Sequence, residues 1–245
     1  MMRPSRPESV VRDGQTVAVV YSKLLHAILD GDMAPGRVTS QLELANDLDV
    51  SRTPLREALR MLEREGLVVL DPNRRVRIAP LSLGDAEDLY VTRVALETVA
   101  IKITVPQLKD EDIAELEGLM AQMDHLVSVG SSRYDHAHAS FHGALCRHAG
   151  DRVDELMGQL ASHTQRYRVS YARTWREEWP TWRAGHRAIL DAARAADPGQ
   201  AADELAAHYV HTARLVVTAI EPDYPLDRLR QTVAMTAPGG LRAFA

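Results

Sequence analysis

The spacing of the apolar residues divides the chain of 245 residues into regions of different secondary structure. From Val17 onward the apolar positions recur three and four residues apart, as at Val20, Leu24 and Ile28, which predicts a helix. The stretch GDMAPGR ends this helix, because glycine and proline interrupt helical backbone. Residues 1–16 contain two prolines and scattered arginines, and we predict that they form a flexible tail.

Two shorter helices and a hairpin are predicted next. QLELANDLDV carries the apolar face of a second helix, and RTPLREALRMLEREG carries that of a third, which Gly66 ends. Ser51 is a suitable N-cap for the third helix. LVVL and RVRIA are short β-rich runs on either side of a turn signal, DPN. Three helices followed by a hairpin predict a winged helix-turn-helix domain over residues 17–80.

The rest of the chain is predicted to be helical. After a linker at 81–84, the apolar spacing predicts a helical domain over 85–221. Its six helices are expected near 85–103, 110–129, 133–149, 151–173, 181–196 and 199–220. The predicted fold class is therefore mainly α, a winged helix-turn-helix followed by an antiparallel bundle of about six helices. Residues 222–245 contain prolines and glycines without clear periodicity and are expected to form a loose tail.

Composition narrows the possible functions. The chain is 45% apolar and 26% charged, without an apolar run as long as a membrane span, and its N-terminus lacks the apolar segment of a signal peptide. We therefore expect a soluble, cytoplasmic protein without a membrane partner. The single cysteine, Cys146, excludes an internal disulfide and a multi-cysteine zinc site. Because the net charge is −5, any DNA contact must come from a local basic patch.

The predicted third helix has an apolar face and a polar face. Leu55, Ala58, Leu59 and Leu62 follow helical spacing and should pack on the first two helices. The opposite face, toward the N-terminal half, carries the candidate DNA-contacting residues Arg52, Thr53, Arg56 and Arg60. A recognition helix reads base edges with its N-terminal side chains, and arginine can bond guanine through two hydrogen bonds. An ordinary solvated face remains the alternative for any one of these arginines.

The stretch GDMAPGR followed by LELANDLDVSRTPLREALRMLEREGLV resembles the N-terminal domain of the GntR family of bacterial transcription regulators. The resemblance implies that Arg52, Thr53 and Arg56 contact operator DNA and that the wing touches the backbone or the minor groove. The wing tip in many relatives carries glycine, whereas this chain has NRR. Arg74 and Arg75 could therefore add a phosphate or minor-groove contact.

Four histidines of the helical region could meet in the folded protein. His138 and His142 are four residues apart and share one helix face. His186 and His208 lie on two helices joined by DPGQ, roughly 16 Å and 14 Å from the turn at 1.5 Å per residue, and therefore at similar heights. If the helix of His138 and His142 packs alongside, four imidazoles converge, and imidazole suits zinc, nickel, iron and copper. Histidines that only pack in the core or lie on the surface are the alternative.

The segments HASFHGALCRHAGD and GHRAILDAARAADPGQAADELAAHYVHTARLV resemble the ligand-binding FCD domain of the FadR-type GntR subfamily. The resemblance implies a divalent metal held by one aspartate and three histidines, which in turn holds the carboxylate of a small organic acid. The three histidines fall on His142, His186 and His208, whereas the position of the aspartate is occupied by His138. Asp135, one turn earlier, is the alternative fourth ligand. The metal is expected to be zinc, with nickel or iron as alternatives.

Arg93 and Glu97 match an arginine-and-glutamate helix of the same family. The resemblance implies that they line the effector pocket, with the arginine clamping a carboxylate and Glu97 holding it in place. A salt-bridged pair that only ties helices together is the alternative. Arg166 and Arg168 are weaker candidates for the same pocket.

These patterns predict a transcription regulator and not an enzyme, because no strong acid–base pair accompanies the histidines. We expect a homodimer, since two recognition helices are needed to bind two half-sites about one turn of DNA apart. The protein is expected to be a repressor that a small organic acid releases from its operator. The alternative is a metal-sensing regulator, in which occupancy of the metal site is itself the signal.

Overall fold

The structure is a computed structural model, and it describes residues 9–71, 73, 75–128, 133–171 and 175–245, with the side chains of 9–16 and 175–178 excepted. The chain forms two compact units, Met1–Leu81 and Ser82–Ala245. No helix among the described residues is long and apolar enough to cross a membrane.

The first unit is a winged helix-turn-helix, as predicted. Its elements are α1 (Ser9–Leu29), β1 (Val38–Ser40), α2 (Gln41–Asp47), α3 (Arg52–Arg64), β2 (Val68–Asp71) and β3 (Arg75–Ile78). The strands form an antiparallel sheet in the order β1-β3-β2, so the predicted hairpin gains a third strand that the sequence pattern did not indicate. Three residues are too few for an alternating apolar pattern to stand out.

The core of this unit is formed by the residues that the helical spacing selects. Leu55, Ala58, Leu59 and Leu62 of α3 are each no more than 1% exposed, and they lie in one apolar cluster with residues of α1 and of the sheet. The apolar face of α3 is therefore confirmed, and it leaves the opposite face to solvent.

Two local predictions in this unit need correction. The predicted flexible tail at 1–16 is wrong for residues 9–16, because α1 begins at Ser9, and its remaining part, 1–8, lies outside the described residues. The helix can run on from Ser9 because the sequence has no proline between Pro7 and Pro35. Ser51 stands at the N-cap of α3 but its side chain makes no capping hydrogen bond. The side-chain cap is found instead at α2, where Ser40 and Glu43 form a reciprocal capping box.

The second unit is the predicted helical bundle. Its helices are α4 (Leu83–Thr104), α5 (Asp110–Ser128), α6 (Tyr134–Cys146), α7 (Asp151–Tyr171), α8 (Trp175–Arg194), α9 (Pro198–Thr218) and α10 (Asp227–Thr236), followed by a 3₁₀ helix over Pro238–Phe244. The predicted start of α8 near 181 is too late, because Pro180 lies inside the helix, near its N-terminal end. At this position the missing N–H removes one hydrogen bond of the early turns and does not end the helix.

The predicted loose tail at 222–245 is wrong for this chain, because these residues fold onto the bundle. Leu226, Leu229 and Val233 are buried, and the Glu87 carboxylate of α4 accepts hydrogen bonds from the backbone N–H groups of Arg228 and Leu229. Glu87 thereby satisfies N–H groups at the start of α10, which have no partner inside the helix. The prolines and glycines on both sides of this ten-residue helix obscured its apolar spacing in the sequence.

Candidate metal centre and DNA interface

Three helices of the bundle bring the four predicted histidines together. His138 and His142 lie on α6, His186 lies on α8 and His208 lies on α9. Each of the four offers one ring nitrogen to a common centre, and these nitrogens all lie within 4.8 Å of one another. The side chains are between 0% and 6% exposed, so the cluster is buried.

Short distances connect the four imidazole rings, both along one helix and between neighbouring helices. The Nε2 atoms of His138 and His142 are 3.2 Å apart, a contact that these side chains can make because they are neighbours on one helix face. The ring centroids of His186 and His208 are 4.3 Å apart, so the two residues lie at the same height on adjacent helices. The ring centroids of His138 and His186 are 5.1 Å apart, so the pair on α6 and the pair on α8 and α9 form one cluster.

Burial keeps the four imidazoles neutral. Loss of solvation lowers the pKa of His186 to about 3, with the charge of Arg168 as a second cause. The pKa values of His138, His142 and His208 are also lowered well below 6.5, first by burial and then by neighbouring histidines and arginines. Neutral imidazole is the form that binds a metal, so the site is held in its ligating state at neutral pH.

The residues present fit a divalent transition metal. Both ring nitrogens of His186 are buried, and neither has a hydrogen-bond partner among the residues that the structure describes. A buried polar group without a partner is costly, and a metal ion bound to this imidazole would remove that cost. Four imidazoles in a water-poor interior are the donor set of zinc, nickel or copper and not of magnesium or calcium.

The carboxylates near the cluster are bonded to arginines. Asp135, the alternative fourth ligand, accepts a hydrogen bond of 2.5 Å from Arg168 and does not join the cluster. Glu97 accepts hydrogen bonds from Arg93, the shorter of them 2.7 Å from Nε to Oε1. The structure therefore places His138 among the candidate ligands and leaves both carboxylates outside them.

A small cavity lies directly beside the histidines. His138 and His208 line it together with Tyr90, Arg168 and Trp182, and its volume of about 10 Å³ is that of roughly one water molecule. The hydroxyl of Tyr90 and the indole N–H of Trp182 are both buried and have no hydrogen-bond partner among the described residues. The described wall of the cavity thus contains two donors without a partner there and two guanidinium groups, those of Arg93 and Arg168.

The second candidate site is the exposed face of α3. Arg52, Thr53, Arg56 and Arg60 are all exposed, on the side of the helix away from the buried leucines. Among the described residues, the acidic residue that pairs with these side chains is Glu57, which lies 3.6 Å from Arg56 and 3.4 Å from Arg60. Ion pairs this exposed are weak, so the guanidinium groups remain available to DNA.

Of the two arginines predicted to contact DNA from the wing tip, one lies among the described residues. Arg75 begins β3 and is exposed, whereas Arg74 lies outside the described residues. Arg77, on the same strand, donates a hydrogen bond of 2.8 Å to Asp71 across the hairpin. Among the described wing residues, Arg75 is thus the predicted cation that projects without a carboxylate partner in the structure.

Sequence patterns did not reveal every residue around the histidines. The hydroxyl of Tyr209 lies 3.0 Å from Nδ1 of His142, and Thr164 accepts a hydrogen bond of 3.0 Å from Arg93. A Cβ on Gly185 would lie 3.1 Å from Nδ1 of His208, so the absence of a side chain at 185 makes room for that ring. Tyr209 directly follows His208, but spacing alone cannot tell that its hydroxyl reaches a different helix.

Two family models match the chain. The model described as bacterial regulatory proteins, gntR family, matches residues 16–78, and the model described as FCD domain matches residues 88–211. The first range covers the winged helix-turn-helix, and the second covers all four histidines. The FCD match alone spans about half of the chain.

Relatives and solved structures agree with these matches. The chain is 31% identical over 156 residues to the Nta operon transcriptional regulator of Aminobacter aminovorans, covering 64% of this chain and 71% of that protein. It is 26% identical over 195 residues to the uncharacterized HTH-type transcriptional regulator YdhC of Bacillus subtilis, covering 78% of this chain and 86% of that protein. The solved structure of McbR/YncC of E. coli has the same fold, with a TM-score of 0.73, 21% identity, and coverage of 83% of this chain and 97% of that one. The chain belongs to the GntR family of bacterial transcription regulators, in the group whose second domain is an FCD domain.

Proposed function

We propose that this regulator binds operator DNA as a homodimer, holds a divalent metal through His138, His142, His186 and His208, and releases its operator when a small organic acid binds beside the metal. The observation that carries the metal site is the convergence of four buried imidazole nitrogens within 4.8 Å of one another. Zinc is the proposed metal, because four-coordinate tetrahedral sites of histidine suit it.

The charge around the site supports an anionic effector. Four neutral imidazoles leave the full charge of a dication uncompensated, and the two nearby carboxylates are already bonded to arginines. A buried charge of this kind is costly without an anionic partner. In the adjoining cavity, the hydroxyl of Tyr90 and the N–H of Trp182 have no hydrogen-bond partner among the described residues, and Arg168 supplies a positive charge. A carboxylate is the anion that such a set of donors fits.

Adjacent residues of α7 connect this cavity with the first residues of the second unit. Arg168 lines the cavity, and the preceding Tyr167 accepts a hydrogen bond of 3.1 Å from the backbone N–H of Ser82 and donates one of 2.5 Å to Asp85. Ser82 is the first residue after the DNA-binding unit. We therefore assign to α7 the transmission of effector binding, as a shift between two populations of the regulator.

The proposed dimer needs a surface, and the bundle has an exposed apolar one between α4 and α7. Leu89 and Leu96 of α4, with Leu156 and Leu160 of α7, line a groove of about 560 Å³, and Leu156 is 44% exposed. A second copy of the chain is the proposed occupant, because two recognition helices are needed for two half-sites. Leu156→Glu should then shift the protein toward the monomer in sedimentation, whereas Ile220→Glu, at an exposed apolar residue elsewhere, should not.

Operator affinity under three conditions tests the function. The metal-free protein, the protein with zinc alone, and the protein with zinc and each of a set of small carboxylic acids are titrated with operator DNA. The proposal expects tight binding with zinc alone and weaker binding once an acid is added. Operator binding that no acid weakens, at zinc occupancy verified by elemental analysis, would contradict it.

A second candidate function is a metal sensor, in which zinc itself changes operator affinity. It is favoured by the small volume of the cavity, about 10 Å³, and by a set of four histidines that can complete a tetrahedral site without an effector. In the same titration, a change in operator affinity between the metal-free and the zinc-loaded protein, with no further effect of any acid, identifies this function.

A further inference from the structure

One candidate ligand, His142, is held by a tyrosine that is not itself a ligand. The hydroxyl of Tyr209 lies 3.0 Å from Nδ1 of His142, whereas the other ring nitrogen, Nε2, lies beside His138. Tyr209 is 1% exposed and His142 is 3% exposed, so water does not compete for this contact. The two rings stack, with their planes 25° apart and their centroids 5.4 Å apart.

The hydrogen bonds of the Tyr209 hydroxyl determine which atom carries the proton in that contact. Arg93 donates to the hydroxyl oxygen at 2.6 Å, and a guanidinium can only donate. The hydroxyl also forms a hydrogen bond with Oε2 of Glu97. Because the Glu97 carboxylate is ion-paired with Arg93, its oxygen accepts this hydrogen bond and cannot donate one. The one proton of the hydroxyl therefore goes to Glu97, and toward His142 only a lone pair of the oxygen remains.

His142 must consequently donate from Nδ1. A neutral imidazole carries one proton, so Nε2 of His142 has an available lone pair. This Nε2 faces the cluster, 3.2 Å from Nε2 of His138. The ring thus presents a lone pair to the common centre of the four histidines.

We propose that Arg93, Glu97 and Tyr209 are positioning residues that fix His142 in the tautomer able to bind the metal before the metal arrives. The inference rests on the proposed metal site and deepens it. Arg93 and Glu97, which the family resemblance assigns to the effector, act here through Tyr209. Outer partners of this kind orient the ligand and raise its basicity.

The bonds also tie helices together, and this structural role predicts a different result. Arg93 and Glu97 lie on α4, Tyr209 lies on α9, and Arg93 also bonds Thr164 of α7. If tying helices together were their whole role, loss of the Tyr209 hydroxyl would lower stability but would leave the tautomer of His142 and the zinc affinity unchanged.

The experiment compares full-length wild-type protein, Tyr209→Phe and Tyr167→Phe, all stripped of metal. Tyr167 is a matched control, because its ring is equally buried and its hydroxyl is also hydrogen-bonded, with Ser82 and Asp85 as its partners among the described residues. Long-range ¹H–¹⁵N NMR reports the tautomer of His142, with the signal assigned by its loss in His142→Gln. Zinc affinity is measured by competition with a chelator.

We expect the Nδ1–H tautomer in the wild type and in Tyr167→Phe, and a mixture of tautomers in Tyr209→Phe. Zinc affinity should fall about 10–100-fold in Tyr209→Phe, the usual effect of removing an outer partner, and should change little in Tyr167→Phe. An Nε2–H tautomer in the wild type, or equal zinc affinities of the two variants, overturns the inference. The wild-type tautomer does not depend on the folding of a variant. A wild type with the Nδ1–H tautomer that does not bind zinc refutes the proposed function instead.

Discussion

The proposed DNA-contacting face of α3 and the histidine cluster are built in opposite ways. Arg52, Thr53, Arg56 and Arg60 come from nine consecutive positions of α3 and are all exposed. The four histidines come from three helices separated by up to 70 positions, and all are buried. The side chains of an exposed helix face are positioned by the backbone of that helix alone. The side chains of a buried site are positioned only when all the helices that contribute them pack together. The comparison implies that the two regions respond differently to substitution.

The largest difference is expected for His186→Ala. Loss of one of the four proposed ligands should lower zinc affinity by more than about 100-fold, beyond the effect of an outer partner. Operator affinity of the metal-free protein should be unchanged, since the DNA-binding unit has its own core. Isothermal titration with zinc and fluorescence anisotropy with operator DNA measure the two effects. His148→Ala, at an exposed histidine outside the cluster, is the control. Zinc binding by His186→Ala equal to that of the wild type would remove His186 from the site.

The converse is expected for Arg56→Ala. Loss of a base-contacting arginine should weaken operator binding by about 1–3 kcal/mol and relax specificity at one base pair. Zinc affinity should stay at the wild-type value. Arg194→Ala, the same change at an exposed arginine of the helical unit, should leave operator affinity unaltered. An equal loss of affinity for all DNA sequences would place Arg56 on the phosphate backbone instead of a base.

Gly185→Ala tests how closely packed the histidine site is. Alanine is the better helix former by about 1 kcal/mol, but its Cβ would lie 3.1 Å from Nδ1 of His208 and displace that ring. We expect zinc affinity to fall on the order of tenfold, as for other changes outside the ligands. Gly158→Ala is the matched control, because a Cβ at this position of α7 meets no atom within 4 Å. Unchanged zinc affinity in Gly185→Ala would show that His208 can shift without cost to the site.

The smallest effect is expected for Arg75→Ala in the wing. A phosphate contact carries no sequence information, so the affinities for operator and for non-specific DNA should fall alike. The slope of log affinity against log salt concentration should decrease by about one unit. Arg77→Ala is the comparison variant, because Arg77 is already bonded to Asp71. A change in sequence preference in Arg75→Ala would indicate a minor-groove contact and not a phosphate contact.

The DNA-binding unit was largely predictable because its information is local. Helical spacing identified Leu55, Ala58, Leu59 and Leu62 as the buried face of α3, and the opposite face followed by exclusion. Turn residues located the hairpin between β2 and β3. The third strand, β1, escaped prediction because its pairing with β3 joins segments more than 30 residues apart, which no local pattern records.

The histidine site was predictable only in part. Helix spacing could place His138 beside His142, and the tight turn between α8 and α9 could place His186 level with His208, because both relations depend on helix geometry alone. That α6 packs against this pair, and that Asp135 bonds Arg168 outside the cluster, depend on how whole helices fit together.

The sequence by itself determined the winged helix-turn-helix, the number and order of the main helices of the bundle, and the residue types available for a metal. Tertiary structure alone decided what surrounds those residues. It brought the hydroxyl of Tyr209 to His142, left both nitrogens of His186 without a partner among the described residues, and folded residues 227–244 onto α4 and α9. The physical reason is the range of the interactions. Periodicity records contacts within one element, whereas burial, hydrogen bonding and the pKa of a histidine depend on side chains that distant segments contribute.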